Sequence, residues 1–271
     1  MKRGDLKRLY KIINDQQVEY RDKFMLVLQQ QPNESADQFA ARQKRVHDCF
    51  TTSMVIHATN DEQMHGSNEA FLDEINLPDN MWSILFDTGT TPLAVLGFTP
   101  ACKIVLFLDF TKPPIFDFNR LPTLPTPNES NFETLADNHS WFAASKSTLS
   151  AFFEERKTNH NWLHRAAMYD ILLLFLGIPL ALWVDYRIGA LLVRFSQLPA
   201  IITTAIYIYS FLMSLNIFRM FFSYSRWVFP KVELETQIGS SPLRHRGAWA
   251  AISIPLLAAF LYDVLRSIFM N

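Results

Sequence analysis

Two cysteines, Cys49 and Cys102, are too few for a disulfide-built scaffold, and no Cys-x-x-Cys pair offers a zinc knuckle. Glycine is nearly as scarce, with 8 in 271 residues. That argues against a Gly-rich nucleotide cradle and against low-complexity disorder. No large charge excess exists either: the formal net charge is −1, so a polyanion-binding surface is not the first expectation, and nucleic acid is not an expected partner. Walker loop, Gly-x-Ser-x-Gly and Ser-x-x-Lys patterns are all missing. Finally, no long apolar run occurs before residue 167, and Met1-Lys-Arg is not followed by the apolar core of a secretory leader.

The near-neutral total conceals a strong polarity along the chain. Residues 1–60 carry 10 basic and 7 acidic residues, residues 61–166 carry 7 and 14, and residues 167–271 carry 8 and 5. Three uncharged runs lie in the last third: Ile171–Val184, Phe195–Phe218 and Gly247–Tyr262. A helix crossing the hydrocarbon core needs about 20 mainly apolar residues. The middle run reaches that alone, and the outer two reach it by taking one aspartate each into an interfacial end. The run from Leu172 to Trp183 has no polar stripe, unlike a helix of a water-soluble bundle. Spans are therefore expected near 166–185, 196–219 and 247–265.

Orientation follows from the cations. Arg156, Lys157 and Arg165 precede the first span, and Arg219, Arg226, Lys231, Arg244 and Arg246 lie between the second and third. Only Arg187 and Arg194 join the first two spans, and Arg266 follows the last. The positive-inside rule places the N-terminus in the cytosol and the C-terminus outside. Trp162, Trp183, Tyr186, Tyr224, Trp227 and Trp249 fall near span ends, where aromatic belts form.

Residues 1–165 read as a separate α+β domain, helices plus a small antiparallel sheet, ahead of the three-helix transmembrane domain of 166–271. Leu6, Tyr10, Ile13, Gln17, Tyr20, Phe24 and Val27 are spaced alternately four and three apart, which predicts a helix over 3–30. The seam suits packing on its own domain better than a coiled coil, because Gln17 interrupts it. A second helix is expected over 36–58, capped by Asn33 or Ser35, and a short third one around 67–76. Met81–Phe86, Thr91–Leu96 and Lys103–Phe110 read as a three-stranded meander, with another strand near 130–135. Five prolines, at 113, 114, 122, 125 and 127, make the stretch between them extended. Trp141–Lys157 reads as a helix leading to the membrane.

Several patterns invite a chemical reading. Asp87-Thr88-Gly89 after an apolar strand resembles the aspartic-protease signature, but a dyad would need a second copy of the chain, and Val95-Leu-Gly97 lies too close to serve as the downstream partner. A turn is the plainer expectation. His160 and His164 have helical ligand spacing, yet Asn161 stands where a metalloprotease has its glutamate. Neither a metal nor a cofactor is expected. Asn33, Asn128 and Asn138 match the glycosylation pattern, which a cytosolic domain would not use. Asp170 and Arg219 fall at the cytosolic ends of spans one and two and form a candidate intramembrane ion pair.

Arg219 and Arg226 lie seven residues, about two helical turns, apart, and Pro230 ends that helix. The Arg226-Trp-Val-Phe-Pro230 stretch, with Leu243-Arg-His-Arg246 and Tyr262-Asp263, is similar to C-terminal regions of uncharacterised bacterial multi-pass membrane proteins. The resemblance covers about residues 140–265 and implies a bacterial inner-membrane location, but no activity, ligand or site residue. The sequence thus points first to a non-enzymatic membrane protein. Its partners would be the bilayer and, through the N-terminal domain, a ligand, a protein or a second copy of the chain. The other two readings are an oligomeric pore or transport component using Asp170, Asp263 and Arg219, and a membrane-anchored aspartic-protease-like enzyme using Asp87.

Overall fold

The computed structural model describes residues 1–58, 62–74, 81–114, 121–156, 158–192, 199–232 and 240–269. By packing, the chain forms two units. One comprises Met1–Thr111, Asn128–Lys157 and Val232–Ile238, and the other Lys112–Pro127, Thr158–Lys231 and Gly239–Asn271.

The first unit is α+β. Helix α1, Arg3–Val27, buries Leu6, Leu9, Tyr10, Ile13 and Gln17. Four of these belong to the seam read from the sequence, which packs on its own unit with Tyr20 and Phe24 half-buried; its last member, Val27, is exposed. Gln17 is buried there with its amide Nε2 donating to the Thr88 carbonyl at 3.1 Å, while its Oε1 finds no partner among the described residues. Helix α2, Ala36–Cys49, starts on a capping box between Ser35 and Gln38. It ends nine residues before the expected boundary. Phe50 and Met54 share helical spacing, but Ser53–Ala58 alternates half-buried and buried residues, and β-branched Val55 and Ile56 suit a strand. That strand is β1, followed by β2, Gln63–Gly66, and the short helix α3, Phe71–Glu74. The expected residues 75 and 76 of that helix lie outside the described residues.

Strands β3, Met81–Asp87, β4, Lys103–Asp109, and β5, Asn131–Leu135, complete an antiparallel five-stranded sheet in the order β2-β1-β3-β4-β5. The expected middle strand of the meander is instead helix α4, Thr90–Leu96. Pro92 falls in its first turn, where a missing N–H costs nothing. Gly97 closes it at φ 76°, donating its N–H to the Leu93 carbonyl. One sheet face, with Met54, Ile56, Ile84, Phe86, Ile104 and Leu106, packs against α1 and against Trp141, Leu149 and Phe152 of α5, His139–Glu154. The opposite face carries the cross-strand row Val55, Leu85 and Phe107, all half-buried.

The second unit contains three helices long and apolar enough to cross a membrane: Met168–Ala190, Ala200–Val228 and Arg244–Phe269. Their positions agree with the sequence reading, each running somewhat longer. The first is α6, Met168–Leu172, continuing through a π-helical turn at Leu173–Gly177 into α7, Ile178–Leu192. The others are α8, Ala200–Val228, and α9, Ser240–Phe269. Two glycines set the approach of the first span to α8. A Cβ at Gly177 would sit 2.9 Å from the Phe218 ring, and one at Gly189 would sit 2.6 Å from the Tyr207 hydroxyl. Small residues at span contacts are the usual means of close packing in lipid.

Candidate functional site

The connection between β4 and β5 carries the most distinctive chemistry. These strands are hydrogen-bonded neighbours in the first unit, yet residues 112–127 between them pack with the second. The excursion has a neck and a docking end, and each is held by one buried charged side chain.

Asp109 makes the neck. It is 5% exposed. Its Oδ1 accepts from the N–H of Thr111 at 2.8 Å and from the Thr111 hydroxyl at 2.5 Å. Its Oδ2 accepts from the N–H of Glu129 at 3.0 Å. Its own N–H donates to the Ser130 hydroxyl, and its carbonyl accepts from the Asn128 amide. One residue thus ties the chain leaving at 111 to the chain returning at 128. The carboxylate is tolerable at this depth because several donors replace its hydration.

At the docking end, three elements of the second unit meet: the Pro-rich segment, the 3₁₀ turn Asn161–His164 and the C-terminal end of α8. Arg226, 8% exposed, donates from Nε to the Leu163 carbonyl and from a terminal amino nitrogen, Nη1, to the Leu124 carbonyl, both at 3.1 Å. Its guanidinium lies 4.6 Å from the centre of the Phe222 ring. The other terminal nitrogen, Nη2, is buried with no hydrogen-bond partner among the described residues. Arg226 also lines a cavity of ≈ 40 Å³, together with Pro113, Pro122, Pro125 and Ser223.

His164 fastens the same corner. Its Nε2 lies 2.6 Å from the Phe229 carbonyl and its Nδ1 lies 2.8 Å from the Thr126 hydroxyl. A carbonyl only accepts, so Nε2 carries the proton, and Nδ1 accepts from Thr126. The neutral ring thereby meets both partners. Burial lowers the His164 pKa below its ordinary value; the Phe229 carbonyl opposes that shift, while Arg226, Lys231 and His160 add to it. Two backbone bonds complete the seam: Thr126 N–H to the His164 carbonyl, and Ala167 N–H to the Thr123 carbonyl. Ala167 turns the chain into α6 at φ 61°.

The residues singled out from the sequence have these places. Asp170 is exposed and accepts from the Thr123 hydroxyl at 3.4 Å. Tyr169 next to it packs on Phe218 and Phe222 of α8, within electrostatic reach of both Asp170 and Arg219. Asp263 is engaged elsewhere: Oδ2 accepts from the Trp183 indole at 2.8 Å and pairs with Arg187 at 2.5 Å. Asp87 spends both oxygens at the start of α4, accepting from the Gly89 N–H and the Thr90 hydroxyl, each at 2.6 Å. The expected turn there is a strand-to-helix corner rather than a hairpin. Burial raises both thiols, Cys102 to about 11, so neither is poised as a nucleophile. Among the described residues, no three His, Cys, Asp or Glu side chains gather as a metal site.

Sequence reasoning missed Asp109, the role of His164 and the Arg187–Asp263 pair. The first could have been suspected from Asp109 and Asn128-Glu-Ser130, turn formers that flank the Pro-rich stretch on both sides. No protein-family model matches the chain, and neither a search of curated proteins nor one of solved structures returns a match.

Proposed function

We propose that this is a non-enzymatic membrane protein. Its cytosolic α+β domain binds a partner or ligand, and its three spans anchor that domain and transduce its state. The observation that carries this reading is the β4–β5 excursion. Its two ends continue into paired strands of the sheet, and its middle is hydrogen-bonded to the ends of α6 and α8. A displacement of those helix ends is therefore transmitted along a short, proline-stiffened tether to the sheet. The half-buried row Val55, Leu85 and Phe107 supplies an apolar surface on which a partner could act. Orientation rests on the cation asymmetry around the spans.

The test is hydrogen exchange on the full-length protein in mild detergent. Removing the docking bonds with Thr126→Val and His164→Phe should speed exchange of the β5 amides while leaving β1 and β3 protected. Unchanged β5 exchange would reduce the spans to an anchor.

A second reading, the oligomeric transport component, has one observation in its favour. Asp185 Oδ1 in α7 and Ser210 Oγ in α8 are buried without a hydrogen-bond partner among the described residues. An unsatisfied acid in a span is a site by default. A monomer in mild detergent would remove this reading, because three spans enclose no lumen.

A further inference from the structure

We propose that the cavity at Arg226 binds a phosphate-type oxyanion. The inference uses the docking end described above but does not depend on its role as a transducer.

A guanidinium presents five N–H groups in a planar fork. Here Nε and Nη1 are used on carbonyls, which carry no compensating charge, and Nη2 is buried with no partner among the described residues. Among the described residues, no carboxylate pairs with Arg226. Of the three described aspartates of this unit, Asp170 accepts from Thr123, Asp263 pairs with Arg187, and Asp185 of α7 has an oxygen without a partner among the described residues. A buried, uncompensated cation is among the most unfavourable arrangements a fold can keep. An oxyanion in the cavity that Arg226 lines would neutralise it, and guanidinium geometry suits phosphate oxygens.

The surroundings have the same sign. Three groups act electrostatically on the adjoining His164, namely Arg226, Lys231 and His160, and all three lower its pKa. Lys112 lies over the Trp227 ring at 5.3 Å and Arg246 over the Phe229 ring at 5.6 Å, so two further cations sit on the aromatic collar of this helix end. Pro113, Pro122 and Pro125 line the space without offering an N–H, and Ser223 lies in the lining with a hydroxyl. At ≈ 40 Å³ the cavity admits an oxygen-bearing group, and the remainder of a ligand stays at its mouth. Arg226 lies near the end of an apolar helix, where lipid phosphates are found; a soluble phosphate offers the same oxygens.

The experiment uses the full-length protein, delipidated in a maltoside detergent. Inorganic phosphate is titrated against chloride at matched ionic strength. Separately, nanodiscs containing phosphatidylglycerol are compared with nanodiscs of phosphate-free glycolipid. Thermal midpoint and affinity are read for wild type, Arg226→Lys and Ser223→Leu. The lysine keeps the charge and loses the fork, and the leucine fills the cavity and leaves Arg226 in place. Saturable stabilisation by phosphate, with affinity at least tenfold weaker in both variants, assigns a soluble ion. The same pattern with phosphatidylglycerol alone assigns a lipid headgroup. No stabilisation by either probe, or equal affinity in wild type and both variants, overturns the proposal. Neither result bears on β5 exchange, so the site and the transducer reading fail separately.

Discussion

Asp109 and Arg226 are both charged and nearly fully buried, and each holds one end of the same excursion, yet they are satisfied differently. Asp109 is saturated: two N–H groups and a hydroxyl converge on its carboxylate from residues within the same unit. Arg226 takes backbone carbonyls at a helix end and keeps one nitrogen unused. The difference reflects what each environment offers. A tight turn gives converging N–H groups, a good anion nest. The last turn of a helix, and a proline-rich segment with few N–H groups, offer carbonyls, which suit a cation. The sheet end is thus built closed, whereas the membrane end keeps capacity for something else.

The largest expected effect breaks the saturated end. Asp109→Ala strands the N–H groups of Thr111 and Glu129, and hydrogen bonds to a charged group contribute about 1.5–3 kcal/mol each. Losing several should lower the stability of the α+β unit by roughly 3 kcal/mol. The expected signature in hydrogen exchange is loss of protection from 128 to 135 before the rest of the sheet. Uniform loss over all five strands would mean that Asp109 is an ordinary core group rather than a neck.

The sequence showed the spans and the first helix plainly, because a 20-residue apolar run and a four-three seam are long signals that neighbours cannot easily override. It failed at Ser53–Ala58 and Thr90–Leu96, six- and seven-residue segments in which both periods fit. For Ser53–Ala58 the outcome was set by a partner distant in sequence, β3; for Thr90–Leu96 it was set locally, by the Asp87 carboxylate bound to Gly89 and Thr90 at one end and left-handed Gly97 at the other. Of the site, the basic and aromatic end of α8 was legible. The burial of Arg226 was not, because it depends on a loop folding back from a hundred residues earlier in the chain.

Next in size are two ion pairs in the spans, one observed and one proposed. Arg187–Asp263 joins the first and third spans, so Arg187→Leu and Asp263→Leu should each lower abundance in membranes, and the double variant should recover part of the loss. Coupling of about 0.6–1.7 kcal/mol is the range for interhelical polar contacts in lipid. The same cycle on Asp170 and Arg219 tests the proposed pair at the other end. If both cycles are additive, charges here serve solubility at the interfaces rather than helix packing.

A smaller change addresses Asp87. Asp87→Ala removes the acceptors of the Gly89 N–H and the Thr90 hydroxyl at the start of α4 and should cost about 1 kcal/mol, whereas Asp87→Asn keeps one acceptor and should cost less. Both should leave every cellular phenotype intact. Loss of a proteolytic activity in a folded Asp87→Asn protein would revive the protease reading.

The smallest expected effect is a single ionisation, at His164. The folded ring is held neutral, with its Nε2–H on the Phe229 carbonyl and Nδ1 accepting from Thr126. Its pKa lies below the ordinary value of 6.5, chiefly through burial. The sign follows from linkage. Above 6.5 the ring is neutral in both folded and unfolded chains, and its hydrogen bonds contribute in full. As pH falls below 6.5, the unfolded chain takes up a proton that the folded one refuses, so stability drops until the folded pKa is passed. Protonation would also place a cation among Arg226, Lys231 and His160, which makes acid doubly unfavourable at this corner. The apparent thermal midpoint should therefore fall more between pH 7.5 and 5.5 in the wild type than in His164→Gln. Added phosphate should narrow that gap if an oxyanion sits at Arg226, since a neighbouring negative charge raises the ring's pKa. Equal slopes in the two proteins would show that His164 does not sense pH, and a steeper slope in the variant would show that the ring is already charged in the folded state.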